Sequence, residues 1–541
     1  MVRPPVTRAQ RPLFRCGGGG ALSVCSRLSL DFHPVSTSPA QTTGRPETAR
    51  DWRALLLRTG TASWAAWGTL VVVCVGSRLA TTITYIEDPD SLRFALSVAD
   101  GYDVAALQPH FPGYPVFWAV GKLFYLPTGS FSASFSIVGG LATVGIVWAL
   151  LRLRDVALRS VEGAAIAGAV FFSPLLWLMG NRYMPDLLGT AGAVAALALL
   201  LRALPLVPAP RDGGDERAAL AGFVLTGLLA GLRLSYLPLV AIPALLVLWR
   251  SDRPARLMGA GTAAVAVWLV PMVLDTGLWT LIDVAWAQTT GHFTDFGGTV
   301  QTESDLGRRA AGTVQGLWAD GLGGWWPGRH WLTGITGAGV LGMSGLGAWR
   351  MLRRGRWSAR RAWLLGVCVL IYGGWMFFFQ NVVHKSRHVL PLLALLLPVL
   401  AAGATALWRR RSWWARGAVL GTAGAYAAVA LVLANQHRDP SAIAQAKRFV
   451  ETQTAQPGPT RVASVPLVNT YLRTQQVDAR FLSVEDSTDV RRLQRAETGR
   501  TLVVGTYASL PDRPPTRTST FYHNPHVNRM WPKVTVYVYE H

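Results

Sequence analysis

The sequence predicts an α-helical polytopic membrane protein of about 11 transmembrane helices, followed by a small C-terminal α/β domain. Three observations predict it. Half of the 541 residues are hydrophobic and 15% are charged, a balance that a water-soluble domain of this length cannot readily bury. Apolar runs of roughly 20 residues, long enough to cross a hydrocarbon core as helices, recur between residues 63 and 434. Beyond residue 436 the texture changes to short β-type runs alternating with polar helical stretches.

Taken in order, residues 1 to about 50 are rich in Arg, Pro, Gly, Ser and Thr without apolar periodicity. They read as a disordered leader, domain 1–55, to which no function is assigned. A translation start placed too far upstream accounts for them equally. The expected spans are 63–86, 130–152, 162–180, 186–203, 217–233, 236–250, 256–278, 330–350, 362–380, 389–408 and 416–434. Basic clusters at Arg53 and Arg58 and within 152–159, 202–217, 250–256, 350–361 and 409–416 belong on the cytoplasmic side by the positive-inside rule. Residues 114–127 are apolar but too short to span, and a full crossing there would turn the 152–159 cluster outward. They are therefore expected to be interfacial. This scheme puts the N-terminus inside, makes 56–435 the transmembrane domain, and leaves 436–541 as an extracytoplasmic α/β domain. Its expected strands are 461–465, 480–484, 501–507 and 533–539, with a polar helical stretch at 489–498.

The net charge of +22 sits mostly in clusters between apolar runs, which is a topology signal and not a nucleic-acid stripe. Cys16 and Cys25 fall in the leader, and Cys74 and Cys368 in apolar runs. Neither a disulfide pair nor a metal-ligand spacing emerges.

Outward chemistry must then use residues 87–129, 181–185, 279–329, 381–388 and the tail. The first of these opens with Glu87, Asp88 and Asp90. Asp90 precedes a helical pattern and suits an N-cap. The same position also suits a general base, because a carboxylate beside the bilayer surface can take the proton of a hydroxyl attacking a lipid-linked sugar. A phosphate leaving group departs without a general acid, so one base and phosphate-holding cations suffice.

The loop continues as Gln108, Pro109, His110, Phe111, Pro112, Gly113, Tyr114 and Pro115. Three prolines in seven positions exclude a helix interior and make a rigid turn, with His110 and Tyr114 as candidate substrate contacts. The order of first helix, acidic loop, a segment similar to His-Pro-Pro-Gly-Tyr-Pro, short apolar run and long helix ending in basic residues resembles the GT-C superfamily. It is most similar to the protein O-mannosyltransferase and aminoarabinose transferase branch. The resemblance is clearest over residues 85–152 and weaker to about 410. It implies a glycosyltransferase moving a sugar from a polyprenyl-phosphate carrier, with a loop aspartate as base. The family's acidic residue stands shortly before an aromatic, as Asp90 does before Phe94, and Asp88 is the close second choice. The chain departs from the motif in having Phe111 where proline is common and in lacking an acidic neighbour just after Asp90.

Further candidates line the other outward segments. Arg182 and Asp186 lie at a membrane edge in Asn181-Arg182-Tyr183-Met184-Pro185-Asp186, where a helix break competes with a phosphate-binding role for Arg182. Arg233, in a tight turn near Ser235 and Tyr236, offers the same choice. His292 and Asp295 sit among glycines as candidate substrate contacts or parts of a plain flexible loop. Trp318, Trp325, Trp326 and Trp331 read as interfacial anchors able to stack on sugars. Lys385, Arg387 and His388, with His384, form the one dense basic cluster facing outward, suited to a carrier phosphate or to lipid head groups. Family members often carry a comparable pair before a proline-containing span, which Arg387 and Pro391 resemble.

The expected partners are thus a polyprenyl-phosphate sugar, a glycan, lipid or protein acceptor and the bilayer, with no nucleic acid. The expected place is a bacterial inner membrane. No cofactor is demanded; a divalent cation is compatible with the carboxylates, but spacing alone gives no full oxygen-ligand set. The rival from another class is a transporter or flippase of lipid-linked saccharides, which should show internal repeats and ionisable residues midway along spans. A third reading is a noncatalytic assembly protein that uses the tail to bind an envelope partner.

Overall fold

The computed structural model describes residues 61–204, 215–295, 297–353, 359–484, 499–505 and 514–540. They belong to one compact unit, Thr59–His541. The leader and the expected polar helix at 489–498 lie outside the described residues.

The helices follow as α1 (Thr61–Ala80), α2 (Pro89–Ala99), α3 (Pro115–Thr128), α4 (Phe131–Arg154), α5 (Val161–Phe171), α6 (Pro174–Asn181), α7 (Asp186–Ala203) and α8 (Glu216–Arg233). After a short turn come α9 (Pro238–Arg250), α10 (Pro254–Thr276), α11 (Leu278–Thr294), α12 (Leu306–Gln315), α13 (Thr333–Arg353), α14 (Ala359–Phe379), α15 (Leu390–Trp408) and α16 (Trp413–Gln436). Among the described residues, eight of these are long and apolar enough to cross a membrane (α1, α4, α7, α8, α10, α14, α15 and α16), so the chain is a multi-pass membrane protein.

The other expected spans differ for identifiable reasons. Residues 162–180 form no straight helix: α5 and α6 meet at a 57° bend, because Pro174 cannot continue the hydrogen-bond ladder and instead starts a new helix as its first residue. The expected span 236–250 starts at Pro238 and is 13 residues long, about 20 Å at 1.5 Å per residue, short of the hydrocarbon thickness. The run 330–350 does fold, as α13, but its glycines dilute its apolarity below that of the eight. They serve packing instead: a Cβ on Gly347 or on Gly403 of α15 would collide with the facing backbone. The stretch 279–329, expected as a loop, is mostly helical, comprising α11, α12 and a wide turn at Gly316–Gly321.

The tail forms α17 (Ala442–Thr454), β1 (Thr460–Ser464), α18 (Pro466–Arg473), β2 (Arg480–Ser483), β3 (Arg500–Val504), β4 (Arg517–Tyr522) and β5 (Lys533–Glu540). Its sheet runs β2-β1-β3-β5-β4, parallel from β2 to β3 and antiparallel beyond. Strand β4, rich in Thr and Ser, is the one strand here without a sequence expectation. Burial of β1, β3 and β5 fits their place in the middle of the sheet.

This sheet domain is bolted onto the loops of the helical part. Tyr471 donates to the Ile86 carbonyl at 2.7 Å. Arg529 forks onto Asp320 Oδ2 at 2.7 and 3.0 Å and donates to the Gly312 carbonyl at 3.0 Å. Arg329 and His526 approach the same Asp320 at 3.4 and 3.7 Å. A carboxylate with three cation-capable neighbours has its burial cost offset where it stands.

Candidate active site

The loop after α1 is shaped by its cap. Asp88 is extended (φ −160°) and its Oδ1 accepts from Ser91 N at 2.8 Å, with Pro89 as first helical residue of α2. Asp88 is therefore the N-cap, not Asp90 as the helical pattern suggested. Asp90 falls in the first turn of α2, where the helix dipole favours a negative charge.

That geometry separates the three carboxylates. Glu87, 1% exposed, is gripped by Arg182 (Nη2 to Oε1 2.9 Å, Nε to Oε2 2.8 Å) and by His437 Nε2 at 3.1 Å. Burial would raise its pKa, but Arg182 and then His437 outweigh it and hold the carboxyl down at about 2. Asp88 has no ion pair among the described residues. Burial, then repulsion from Asp90 and Glu87, pushes its pKa above the usual carboxylate range.

Asp90 belongs to another network. Its Oδ2 accepts from Lys385 Nζ at 3.0 Å and from Arg387 Nη2 at 2.9 Å. Burial is opposed by Lys385, Arg387 and His110 in turn, leaving the carboxyl well below the usual range. Arg387 reaches on to Asp186 (Nε to Oδ1 3.8 Å), which pairs with Arg233 Nη2 at 3.0 Å. Arg233 Nη1 donates to Tyr114 Oη at 2.8 Å, and that hydroxyl lies 3.4 Å from His110 Nε2. Burial holds His110 down to about 3, against the pull of Asp90, so its ring is neutral at ordinary pH. Phe94 packs edge-on against both His110 and Tyr114.

Local structure fixes these side chains. The turn after α14 is pinned by Arg309, fully buried, which donates to the carbonyls of Gly298 (2.7 Å), Phe377 (2.8 Å) and Gln380 (2.7 Å). Asn381 Oδ1 then caps His384 N at 3.0 Å and the Asn381 carbonyl accepts from Lys385 N at 3.1 Å. Tyr236 and Tyr372 donate to the carbonyls of Arg387 and His388 at 3.3 and 2.8 Å. Asp186 starts α7 beside the α6 break, and Gly139 lets α4 press on that break: a Cβ there would overlap the Gly180 carbonyl.

Among the residues singled out from sequence, the fold thus joins Asp90, Lys385, Arg387, Arg233, Tyr114 and His110 through Asp186. Asp88 stands beside the network as a helix cap. Arg182 is committed to Glu87 and, through Nη2, to the Val527 carbonyl at 2.6 Å, so its fork is occupied by the chain itself. His388 is buried with its ring Nδ1 unpartnered. His292 Nε2 lies 2.9 Å from the Phe379 carbonyl, and Asp295 is the exposed C-cap of α11; neither has a hydrogen bond to the network. The sequence pattern assigns no role to Glu87, His437 or Tyr236, and marks Asp186 only as an ionisable residue at a membrane edge. Among the described residues no group of three or more His, Cys, Asp or Glu side chains is placed to hold a metal ion.

No family model matches the chain, and no curated protein matches it in sequence. Among solved structures it is similar to ArnT from Cupriavidus metallidurans bound to undecaprenyl phosphate, at 11% identity and a TM-score of 0.48 over 88% of this chain and 98% of that one. It is also similar to the archaeal oligosaccharyltransferase AglB from Archaeoglobus fulgidus in complex with an inhibitory peptide and a dolichol-phosphate (12%, TM-score 0.43, 82% and 69%). A third is the arabinosyltransferase EmbB from Mycobacterium smegmatis (14%, TM-score 0.34, 73% and 33%).

Proposed function

We propose that the chain is a membrane glycosyltransferase of the GT-C type, which moves a sugar from a polyprenyl-phosphate carrier to a glycan, lipid or protein acceptor on the outer face of a bacterial inner membrane. The observation that carries the reading is the carboxylate of Asp90 held between Lys385 and Arg387. Counted with Asp186 and Arg233, the network has two carboxylates and three fixed cations. That surplus of positive charge suits a phosphate.

In this reading the carrier phosphate takes hydrogen bonds from Lys385 and Arg387, Arg as a planar fork and Lys as a point charge. Once they are shared with the phosphate, the cations release Asp90, whose pKa rises toward its ordinary value and whose basicity recovers. The acceptor hydroxyl oxygen then forms a bond to the anomeric carbon as the carbon–oxygen bond to phosphate breaks. The hydroxyl proton passes to Asp90 and the bond pair leaves with the carrier phosphate, which the two cations hold. Tyr114 steadies Arg233, which together with the Tyr236 hydroxyl holds Asp186, and through it the orientation of Arg387.

The supporting charges cluster at helix ends: Asp186 begins α7, Arg233 ends α8 and Arg387 precedes α15. A flippase of lipid-linked saccharides would need them midway along spans. The test is transfer by the full chain in lipid nanodiscs, supplied with a panel of polyprenyl-phosphate sugars and an envelope extract as acceptor. Sugar transfer with release of polyprenyl phosphate, lost in Asp90→Asn, is the expected result. Transbilayer movement of the donor without any release of polyprenyl phosphate would overturn the reading in favour of a flippase.

A further inference from the structure

One cation next to the Asp90 network belongs to none of the pairs described so far. Arg93, one helical turn after Asp90 on α2, makes no ion pair and no hydrogen bond among the described residues, and it is only half-buried. It lines a shallow cleft formed by three elements: α2 (Pro89, Leu92, Arg93, Leu96), the turn before the proline-rich segment (Ala106, Leu107, Gln108) and α18 of the sheet domain (Leu467, Thr470). Burial lowers the pKa of Arg93 and Asp90 is the charge that opposes this, so the guanidinium senses the proposed base without bonding to it.

The wall made by residues 103–108 is built, not slack. Asp103 and Gln108 exchange both backbone hydrogen bonds at 2.7 Å, Asp103 Oδ1 accepts from Ala106 N at 2.9 Å, and Leu107 is held at φ +60°. A leucine in the left-handed region is disfavoured unless its surroundings impose it. Here that conformation places an apolar side chain in the cleft wall opposite Leu467. The Gln108 side-chain amide makes no hydrogen bond among the described residues and lies in the same lining.

We infer that this cleft is the acceptor subsite, taking an anionic group of the acceptor, phosphate or carboxylate, on Arg93, with an adjoining apolar portion against Leu92, Leu96, Leu107 and Leu467. The inference rests on the glycosyltransferase reading and names the chemical class of the second substrate. An unpartnered guanidinium in a partly desolvated cleft walled largely by leucines gains most from an anion able to accept a fork of hydrogen bonds. The distance suits the purpose: one helical turn, about 5–6 Å between side-chain origins, separates the anion site from the carboxylate that would accept the proton. The third wall comes from the sheet domain, which thereby contributes to substrate selection as well as to fold.

The experiment uses the full chain in zwitterionic nanodiscs with Cys16→Ser and Cys25→Ser, since Cys74 and Cys368 are buried, and an environment-sensitive fluorophore on Thr470→Cys. Butyl phosphate, butyrate and butanol are titrated. A saturable emission change with either anion, absent with butanol, weakened about tenfold or more by Arg93→Gln and less by Arg93→Lys, is the expected result; whichever anion binds more tightly identifies the group. Leu107→Trp, which fills the cleft and keeps the arginine, should block the change. Arg387→Ala should leave it intact while weakening polyprenyl-phosphate binding. No saturable change with either anion, an equal response to butanol, an unaltered titration in Arg93→Gln, or loss of the signal in Arg387→Ala would each overturn the cleft assignment. Absence of sugar transfer with the anion titration preserved would instead sink the parent reading and leave an anion site standing.

Discussion

Glu87 and Asp90 stand three residues apart in one loop, yet they show two uses of a buried carboxylate. Glu87 is closed: Arg182 takes both its oxygens, His437 takes one of them as well, and Ser441 donates to its backbone carbonyl at 2.8 Å. Its partners come from the α6 break and from the segment joining α16 to the sheet domain, so the cluster ties two parts of the fold together. Asp90 is open by comparison. Its side chain is 13% exposed, and both its cations come from one turn before α15, where the Lys385 side chain is itself 22% exposed. Equal sequence depth therefore does not mean equal role; what decides is whether the partners exhaust the carboxylate.

The largest expected effect breaks the open member. Asp90→Asn keeps size and polarity but removes the base, and transfer per folded molecule should fall by about 10²–10⁴-fold; the loss of melting temperature should be smaller than at Glu87, because Lys385 is partly exposed and Arg387 keeps Asp186 at 3.8 Å. Full activity in that variant would exclude Asp90 as the base.

The closed member should answer in stability instead. Glu87→Gln leaves Arg182 buried without its counter-charge, which costs about 3–5 kcal/mol when a buried pair loses one partner. A lower melting temperature and proteolytic release of the sheet domain should follow, while turnover per folded molecule stays near that of the unaltered protein. The pH dependence has a definite sign. The folded-state pKa of Glu87, about 2, lies below its ordinary 4.5, so its contribution is complete above about pH 4.5 and is lost as the pH falls through about 2. Thermal melts across that window in Glu87→Gln should lack the acid-side decline contributed by this residue.

Smaller again is the effect of thinning the cations. Arg387→Ala should raise the KM for the lipid-linked donor by about 10–100-fold and leave that for the acceptor within a few-fold. Equal changes in both would mean that Arg387 merely holds the loop in place.

Much of this arrangement was legible in the chain. The apolar runs announced the long helices, the proline-rich segment announced the turn carrying His110 and Tyr114, and the dense basic cluster before residue 389 announced Lys385 and Arg387. What escaped was set by distance along the chain. Asp186 and Arg387 are 201 residues apart by their numbers, and Glu87 and His437 are 350 apart; no local pattern encodes such pairs, since each residue taken alone is only an ionisable group at a helix end. Arg182 was legible as a cation but not as one already spent on Glu87. The glycines near residues 291–298 suggest a loop and mask the helices α11 and α12 on either side of them. For Asp88 a local signal did exist: Pro89 is pre-organised for the first helical position, which makes its predecessor the cap.

That cap supplies the finest test of the comparison, because it separates the two aspartates that the sequence left as rival bases. Asp88 satisfies an otherwise orphan donor at the start of α2 through its bond to Ser91 N, and asparagine caps a helix about as well as aspartate. Asp88→Asn should therefore keep both stability and most of the activity, and it also removes a carboxyl that burial and two acidic neighbours disfavour as an anion. Asp88→Ala should cost about 1 kcal/mol of stability through the lost cap, with a few-fold fall in transfer as the first turn of α2, and Asp90 on it, loosens. If Asp88→Asn is as inactive as Asp90→Asn while Asp88→Ala is no less stable than the unaltered protein, the roles are reversed: the proton acceptor is Asp88, and the Asp90 ion pairs are scaffolding.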